Sequence, residues 1–466
     1  PLVLAAGPIV GVKLAAIAIV LIGLVGLWGL CRGPLGLSQP ATAYAGAVYA
    51  SLGWTVAILD SGNYPQLYTL WFPLFTWLIL SGERWLDGRL ALAALAAATA
   101  LLDGHLNTVL TLIAAGLTAL ALRPHVWPRV FVLAGLTFGL AAYKLFPTIA
   151  LLRVEDRAIA YGGGTIEVAT WDPWAFFGLD CRADGFALGP LPLLLVPFAS
   201  RAGRRALVLF GLLLVSAWLY FGPKAPADLF WLVSRLPVLR SIDAPSKYFV
   251  FYAGVALVLL GALALEGVPE RWRTPVALLA AMGAAVPLLV VGRPTLTAIF
   301  SEPDVPRATR AFEPLDTAAF ESPWPGPPER RPDLYVYYRR SIPLTRWEDN
   351  FRLENHQIPA WSLALDGTLS RPAQARGGAW WSEGGADTPV LETPTASGVR
   401  LTVPRGGRVT VNLNADDSVA CQGAAVVAAA GLLELDVPEA GQVDCRFHST
   451  AFRWGAAVTV LTGALL

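Results

Sequence analysis

Charge is scarce in this chain of 466 residues: Asp, Glu, Lys and Arg make up 15%, where a soluble domain carries about 25%. The deficit is uneven, because residues 1–291 are long apolar runs and 292–450 have an ordinary soluble composition. A net charge of +1 removes the basic excess that a nucleic-acid partner would require. Cysteine and histidine are also rare, four of each, and no C-x-x-C, H-E-x-x-H or P-loop spacing occurs, so metal and nucleotide motifs are absent. No basic n-region of a signal peptide is recognisable. The chain opens on Pro1 rather than Met and stops inside an apolar run at Leu466, which reads as a piece of a longer protein.

What is present is hydrophobic length. Mean hydropathy is +0.53, and a helix crossing roughly 30 Å of hydrocarbon needs about 20 mostly apolar residues. About eleven spans are expected, at 13–31, 41–58, 65–81, 89–102, 107–122, 129–151, 187–199, 204–221, 246–266, 274–291 and 451–466. Alternate loops collect arginine: Arg32; Arg84 and Arg89; Arg123 and Arg129; Arg201, Arg204 and Arg205; Arg271 and Arg273. The short turns between them hold Asp60 and Asp103 with no Lys or Arg, so the positive-inside bias puts the arginines in the cytoplasm. Outside then lie 152–186, 222–245 and 292–450.

The fold expected is a polytopic membrane all-α bundle plus a small extracytoplasmic β-sandwich. Residues 1–291 form the transmembrane domain and 292–350 an irregular connecting segment rich in Pro and Arg. Residues 351–450 form the β-rich domain and 451–466 a final helix. Short strand-like runs at Val399–Val403, Arg408–Leu413, Ala424–Ala428, Leu432–Val437 and Val443–His448 are separated by turn residues. On the oxidising side, Cys421 and Cys445 are candidates for a disulfide, with two separately buried thiols as the alternative. Cys31 and Cys181 stand on opposite sides of the expected membrane.

The outer turns carry the candidate chemistry. In Asp103-Gly104-His105-Leu106-Asn107-Thr108, His105 reads as ligand or proton carrier, or the turn is merely hydrated with Asp103 as a cap. Lys144, inside a span just before Pro147, reads as functional or as snorkelling to the surface. Above it stand Arg153, Glu155, Asp156 and Arg157; Arg157 suits a phosphate, or the cluster only ties the loop down. Ala227 to Leu239 has an amphipathic pattern suited to a surface helix. Beyond it, Asp243 and Lys247 open a long apolar helix, and a cation there is unfavourable for the helix dipole unless an anion or Asp243 answers it. Asp60 heads the turn Asp60-Ser61-Gly62-Asn63-Tyr64, and Asp172 and Asp180 flank the aromatic run Trp171 to Phe177, which interfacial solvation alone also explains.

In order along the chain, several blocks resemble the YfhO-like family of bacterial multi-pass membrane proteins within the GT-C glycosyltransferases. They are Tyr64 to Leu80 with Phe72-Pro73-Leu74; Gly104-His105-Leu106-Asn107, similar to a Gly-His-Pro-Gln turn; and Lys144-Leu145-Phe146-Pro147 through Arg157. Phe186 to Leu193, Leu236 to Lys247 and Val443 to Gly455 continue the likeness, with Ile242-Asp243 and Lys247 departing from a Phe-Arg-x-Pro-x-Arg segment. The resemblance implies sugar transfer from a polyprenyl-phosphate donor to a cell-envelope glycan, lipid or protein on the outer face of the bacterial cytoplasmic membrane. Asp60, Asp103, His105, Arg157, Asp243 and Lys247 are then substrate-binding candidates. The family's acidic residue falls before Pro1, so the catalytic base is not assigned. No cofactor is identified, and a divalent cation is compatible with the chemistry. Membrane lipids are the other expected partners, and nucleic acid is not one. Two further readings stand beside the enzyme: a non-catalytic assembly subunit gripping a partner through its β-domain, and a lipid-linked-saccharide transporter.

Overall fold

A computed structural model describes residues 8–60, 64–103, 105–154, 190–225, 227–235, 242, 245–300, 320–321, 361–363, 369–370, 379–381, 390–395, 398–414, 419–427 and 432–466. The chain divides into two units: Pro1–Leu145, Ile159–Ser301 and Gly455–Leu466 make one, and Phe146–Ala158 with Glu302–Trp454 make the other.

The described helices are α1 (Pro8–Arg32), α2 (Gln39–Ala50), α3 (Gly53–Asp60), a 3-10 helix (Tyr64–Trp71), α4 (Phe72–Leu80), α5 (Gly88–Asp103), α6 (His105–Leu122), α7 (Trp127–Leu140), α8 (Ala142–Val154), α9 (Pro190–Leu195), α10 (Arg204–Tyr220), α11 (Leu229–Ser234), α12 (Pro245–Glu266), α13 (Glu270–Phe300) and α14 (Thr450–Leu465). At the centre of the helical unit lies α12. It is apolar all round, almost wholly buried between Tyr248 and Glu266, and packed against α2, α9 and α10. A helix without a polar face buries every side. Aromatic rings fix its first turns, with Trp54 against Phe251 at 4.7 Å and Phe72 against Tyr252 at 5.7 Å between centroids.

Among the described residues, two helices are by themselves long and apolar enough to cross a membrane, Lys13–Arg32 and Tyr248–Glu266, and up to three if the bent pair Pro124–Leu140 and Ala142–Ile149 is one span. This is far fewer than the eleven expected. The other hydrophobic runs are real helices, but many are short: Gln66–Leu80, Gly88–Leu102, Asn107–Leu122 and Pro192–Ala202 have 10–17 residues. At 1.5 Å per residue such helices are about 15–25 Å long, short of the hydrocarbon thickness. The expected span 41–58 is broken near Ser51 into α2 and α3. The run expected to turn irregular at 292 instead stays helical to Phe300, through Pro294. Within the amphipathic run at 227–239, of which 227–235 are described, a helix covers Leu229–Ser234, with Asp228 Oδ1 capping the Trp231 N–H at 2.8 Å.

In the second unit, two four-stranded sheets with orders β4-β7-β10-β9 and β5-β6-β11-β8 share one apolar cluster. The strands are β4 (Ala379–Trp381), β5 (Leu391–Thr395), β6 (Gly398–Val403), β7 (Gly407–Asn414), β8 (Val419–Gln422), β9 (Ala425–Val426), β10 (Leu432–Val437) and β11 (Gly441–Phe447). Strands β1 (Phe320–Glu321), β2 (Trp361–Leu363) and β3 (Leu369–Ser370) form a third small sheet. Alternation in β6 sends Val399, Leu401 and Val403 inward, opposite polar residues at every second position. Pro394 sits in β5, an edge strand, where a missing N–H costs no ladder bond. In β8 and β11 Cys421 and Cys445 stand directly opposite and form a disulfide, which staples the edge strand β8 to the sheet.

Candidate functional site

The polar positions singled out in the sequence lie at helix ends. Asp60 closes α3, Asp103 closes α5, His105 opens α6, and Lys247 is in the first turn of α12. Arg157 and Asp243 lie outside the described residues, as do Glu155, Asp156, Asp172, Asp180 and Cys181.

A buried contact relates two of these ends. Thr111 Oγ1 donates to the Asn107 carbonyl at 2.7 Å and lies 3.0 Å from the Tyr252 hydroxyl. A threonine hydroxyl has one proton. With that proton given to Asn107, Tyr252 is the donor to Thr111. Counting back along the two helices from this bond, His105 is about 9 Å and Lys247 about 7.5 Å along the axis at 1.5 Å per residue. Both helices finish among the same linked arginine connections, where Arg204 meets Ala121 O, Arg205 meets Leu35 O and the Ser38 N–H meets Glu266. They therefore run the same way, and the backbones of His105 and Lys247 share the opposite end of the helical unit. The 3-10 helix packs against α3, α5 and α6, which brings the chain after Asp60 to the same end. Within it Gln66 is 3% exposed and its side-chain oxygen has no hydrogen-bond partner among the described residues. Such a group costs free energy when left unmatched. Gln66 leaves only a faint trace in the sequence, a lone amide in an apolar run after the turn that begins at Asp60. Lys144 donates to the carbonyl of Leu102, the residue before Asp103. It thus stabilises the carbonyl end of α5.

The opposite end is defined by arginine. Arg129, 2% exposed, donates from Nε to Ile79 O at 2.8 Å and from Nη2 to Leu78 O at 2.9 Å, reaches Arg84 O, and pairs with Asp87 at 2.8 Å. Arg123 donates to Leu80 O at 3.1 Å, Arg204 to Ala121 O at 3.0 Å, Arg205 to Leu35 O, and Arg273 to Glu266 O at 3.1 Å. Glu266 Oε1 accepts from the Ser38 N–H at 2.7 Å. The last carbonyls of a helix have no partner within it, and charge-assisted donors at the negative end of the dipole serve them best. These contacts tie five arginine-bearing connections to one another, so they occupy one end of the unit. Burial pushes the Asp87 carboxyl up, but hydrogen bonds from Arg129 and the Leu90 N–H, with the Arg129 charge, outweigh it and hold it below the ordinary carboxylate range.

A hollow of about 530 Å³ lies at this arginine end, lined by Ser81, Gly82, Glu83, Arg84, Asp87, Gly88 and Arg89. It is distant from the polar turns, since Gly88 and Asp103 are the two ends of α5, about 22 Å apart. Its open, mixed-charge lining has no convergent set of groups, and we place the candidate site at the other end. In the β-domain the hydrogen bond from Arg446, countered in part by burial and helped by the charges of Arg446 and Arg400, holds Asp444 below the ordinary range. Arg446 pairs with Asp444 within β11 and Arg400 reaches it from β6, so the cluster is structural.

Among the described residues no three His, Cys, Asp or Glu side chains gather to hold a metal ion. No family model matches the chain, and no curated protein or solved structure is significantly similar to it.

Proposed function

We propose that this chain is a multi-pass membrane protein of the YfhO-like, GT-C kind that transfers a sugar from a polyprenyl-phosphate donor to a cell-envelope acceptor. The observation that carries the reading is the Thr111–Tyr252 contact, which relates the starts of α6 and α12, and hence His105 and Lys247, at the end away from the arginines. Helix starts carry unpaired N–H groups and positive dipole ends suited to a phosphate. A lysine in the first turn is unfavourable until an anion meets it. Sugar transfer also needs a carboxylate near the acceptor hydroxyl, and Asp60 and Asp103 end the neighbouring helices. Asp243 and Arg157 belong to the same proposal through sequence position alone. A divalent cation would take oxygen ligands, and the described residues offer no assembled set, so no step is assigned to one.

The membrane reading for the shorter helices rests on exposed apolar surface. On α1, Leu14, Ile17, Leu21, Val25 and Trp28 are 42–61% exposed at spacings of three and four, a single helical stripe. Exposed Trp28, Trp85, Trp127 and Trp272 stand near the arginine connections, as an interfacial belt would. We assign that end to the cytoplasm and the candidate site and β-sandwich to the outer side of the bacterial cytoplasmic membrane. The shorter apolar helices of 10–17 residues then cross by bending, tilting or locally thinning the bilayer.

The test is to incubate membranes containing the full-length protein with radiolabelled polyprenyl-phosphate sugars. Label should move to an acceptor or to water, and His105→Ala or Lys247→Ala should slow it about 100-fold. No transfer from any donor would sink the enzyme reading and favour the assembly-subunit reading.

A further inference from the structure

The helical pair α7 and α8 bends by 78° at a single residue, Ala141. Pro147 is the obvious suspect, but it lies inside α8. The acceptor left without a donor by that proline is the carbonyl four residues back, Tyr143 O. The bond interrupted at the bend is a different one, between Gly139 C=O and Tyr143 N–H. A side chain from α14 occupies it. Thr459 Oγ1 donates to Gly139 O at 3.1 Å and accepts from Tyr143 N at 3.1 Å, bridging the two partners of one missing helical bond. A hydroxyl inserted into the i to i−4 ladder is a recognised cause of a sharp bend.

The surrounding contacts fit that insertion. Gly455, one turn before Thr459, is pressed against Ala142 O and Tyr143 Cα so closely that a Cβ there would overlap them. Gly139 meets Thr462, one turn after Thr459, in the same way. Beyond the bend the ladder restarts, with the Lys144 and Leu145 N–H groups both on Ala141 O at 3.0 Å.

We propose that the α7–α8 bend is a hinge whose closed state is held by the Thr459 hydroxyl. In the other state Tyr143 N–H bonds Gly139 C=O directly and α7 and α8 run as one straighter helix. Both states satisfy the two backbone groups, so neither is barred by an unpaired donor in an apolar surround. The bend matters to the candidate site through Lys144, the residue next to Tyr143. In the bent state Lys144 reaches the Leu102 carbonyl at the end of α5. Straightening re-aims α8 and withdraws Lys144 from that end, leaving the Asp103 turn unsupported. The hinge itself stands without any assumption about substrate.

Spin labels at Phe131→Cys and Ile149→Cys, with Cys31→Ala and Cys181→Ala, read the bend in the purified full-length protein. With arms of ten and eight residues and the observed bend of 78°, the two backbone positions are about 21 Å apart bent and about 27 Å apart straight. Thr459→Val should add a population about 6 Å longer, and Thr459→Ser, which keeps the hydroxyl, should restore the short distance. Gly455→Ala forces α14 away while keeping Thr459, and should lengthen the distance by the same amount. Unchanged distances in both Thr459→Val and Gly455→Ala would overturn the hinge. So would a Pro147→Ala variant that straightens the pair while Thr459 is intact. Transfer activity enters none of these readouts, so failure of the enzyme reading leaves the hinge test standing.

Discussion

At the arginine end of the helical unit, helix carbonyls are matched by named donors: Arg129 on Leu78 and Ile79, Arg123 on Leu80, Arg204 on Ala121, Arg273 on Glu266. At the other end lie the starts of α6 and α12, whose first N–H groups are donors with no partner within the helix, and the buried amide oxygen of Gln66, an acceptor without a partner among the described residues. The same helices, α6 and α12 among them, produce both ends. Where they finish, fixed cations answer the negative dipole ends and the structure is closed. Where they begin, the matching anion is not supplied by the described side chains. An end whose polar groups are satisfied internally contributes stability, and one whose groups are left over has capacity for a ligand.

The sharpest break of this comparison is Arg129→Leu. It strips donors from three carbonyls and leaves Asp87 facing an apolar side chain, so the helical unit should lose about 3 kcal/mol, read as a fall in thermal midpoint in detergent. A result within 0.5 kcal/mol would mean the arginine end is held by apolar packing alone. Next is the joint Cys421→Ala, Cys445→Ala variant. The bridge joins residues 24 apart, and its loss should cost the β-sandwich about 3 kcal/mol by loop entropy, seen as a lower denaturant midpoint and faster proteolysis of 390–447. Tyr252→Phe should cost about 1 kcal/mol, because one buried donor is lost while Thr111 keeps its bond to Asn107. The smallest stability change is expected at His105→Ala and Lys247→Ala, within about 0.5 kcal/mol, despite their large expected effect on transfer. If these destabilise as much as Arg129→Leu, the end that holds them is structural and the comparison fails.

Acid gives a separate check. Asp87 titrates lower folded than unfolded, so its contribution is present above the ordinary carboxylate value, near 3.9, and is lost as pH falls through the lower folded value. The thermal midpoint of the helical unit should not change on account of this pair between pH 8 and pH 5, and should drop below about pH 4. Asp87→Asn should remove that acid-dependent part of the drop.

Much of this was legible in the chain. Long apolar runs gave helices, and alternating Val and Leu with turn residues gave strands at 398–403, 407–414 and 432–437. Strand β4, only Ala379-Trp380-Trp381, and strand β8 carry too few residues to show a period, and they exist because longer neighbours pair with them. The loop arginines were read as a topological signal. Their second role, capping carbonyls on other helices, depends for Arg123, Arg129 and Arg205 on partners 40 to 170 positions away and there has no local trace. Lys144 had two readings in the sequence, and its contact with Leu102 belongs to a third, helix capping.

Composition and periodicity by themselves determined that this chain is mostly apolar helix with a small β region, because burial of apolar side chains repeats at the helical or strand period. They also determined which connections carry cations. Where the helices stop and bend was left to the tertiary structure. The bend at Ala141 falls six residues before the only proline in α8, because the hydroxyl that competes for the backbone bond comes from Thr459, more than 300 positions along the chain. Local propensity sees one segment at a time, and a backbone bond exchanged for a bond to another helix is decided only when the two meet.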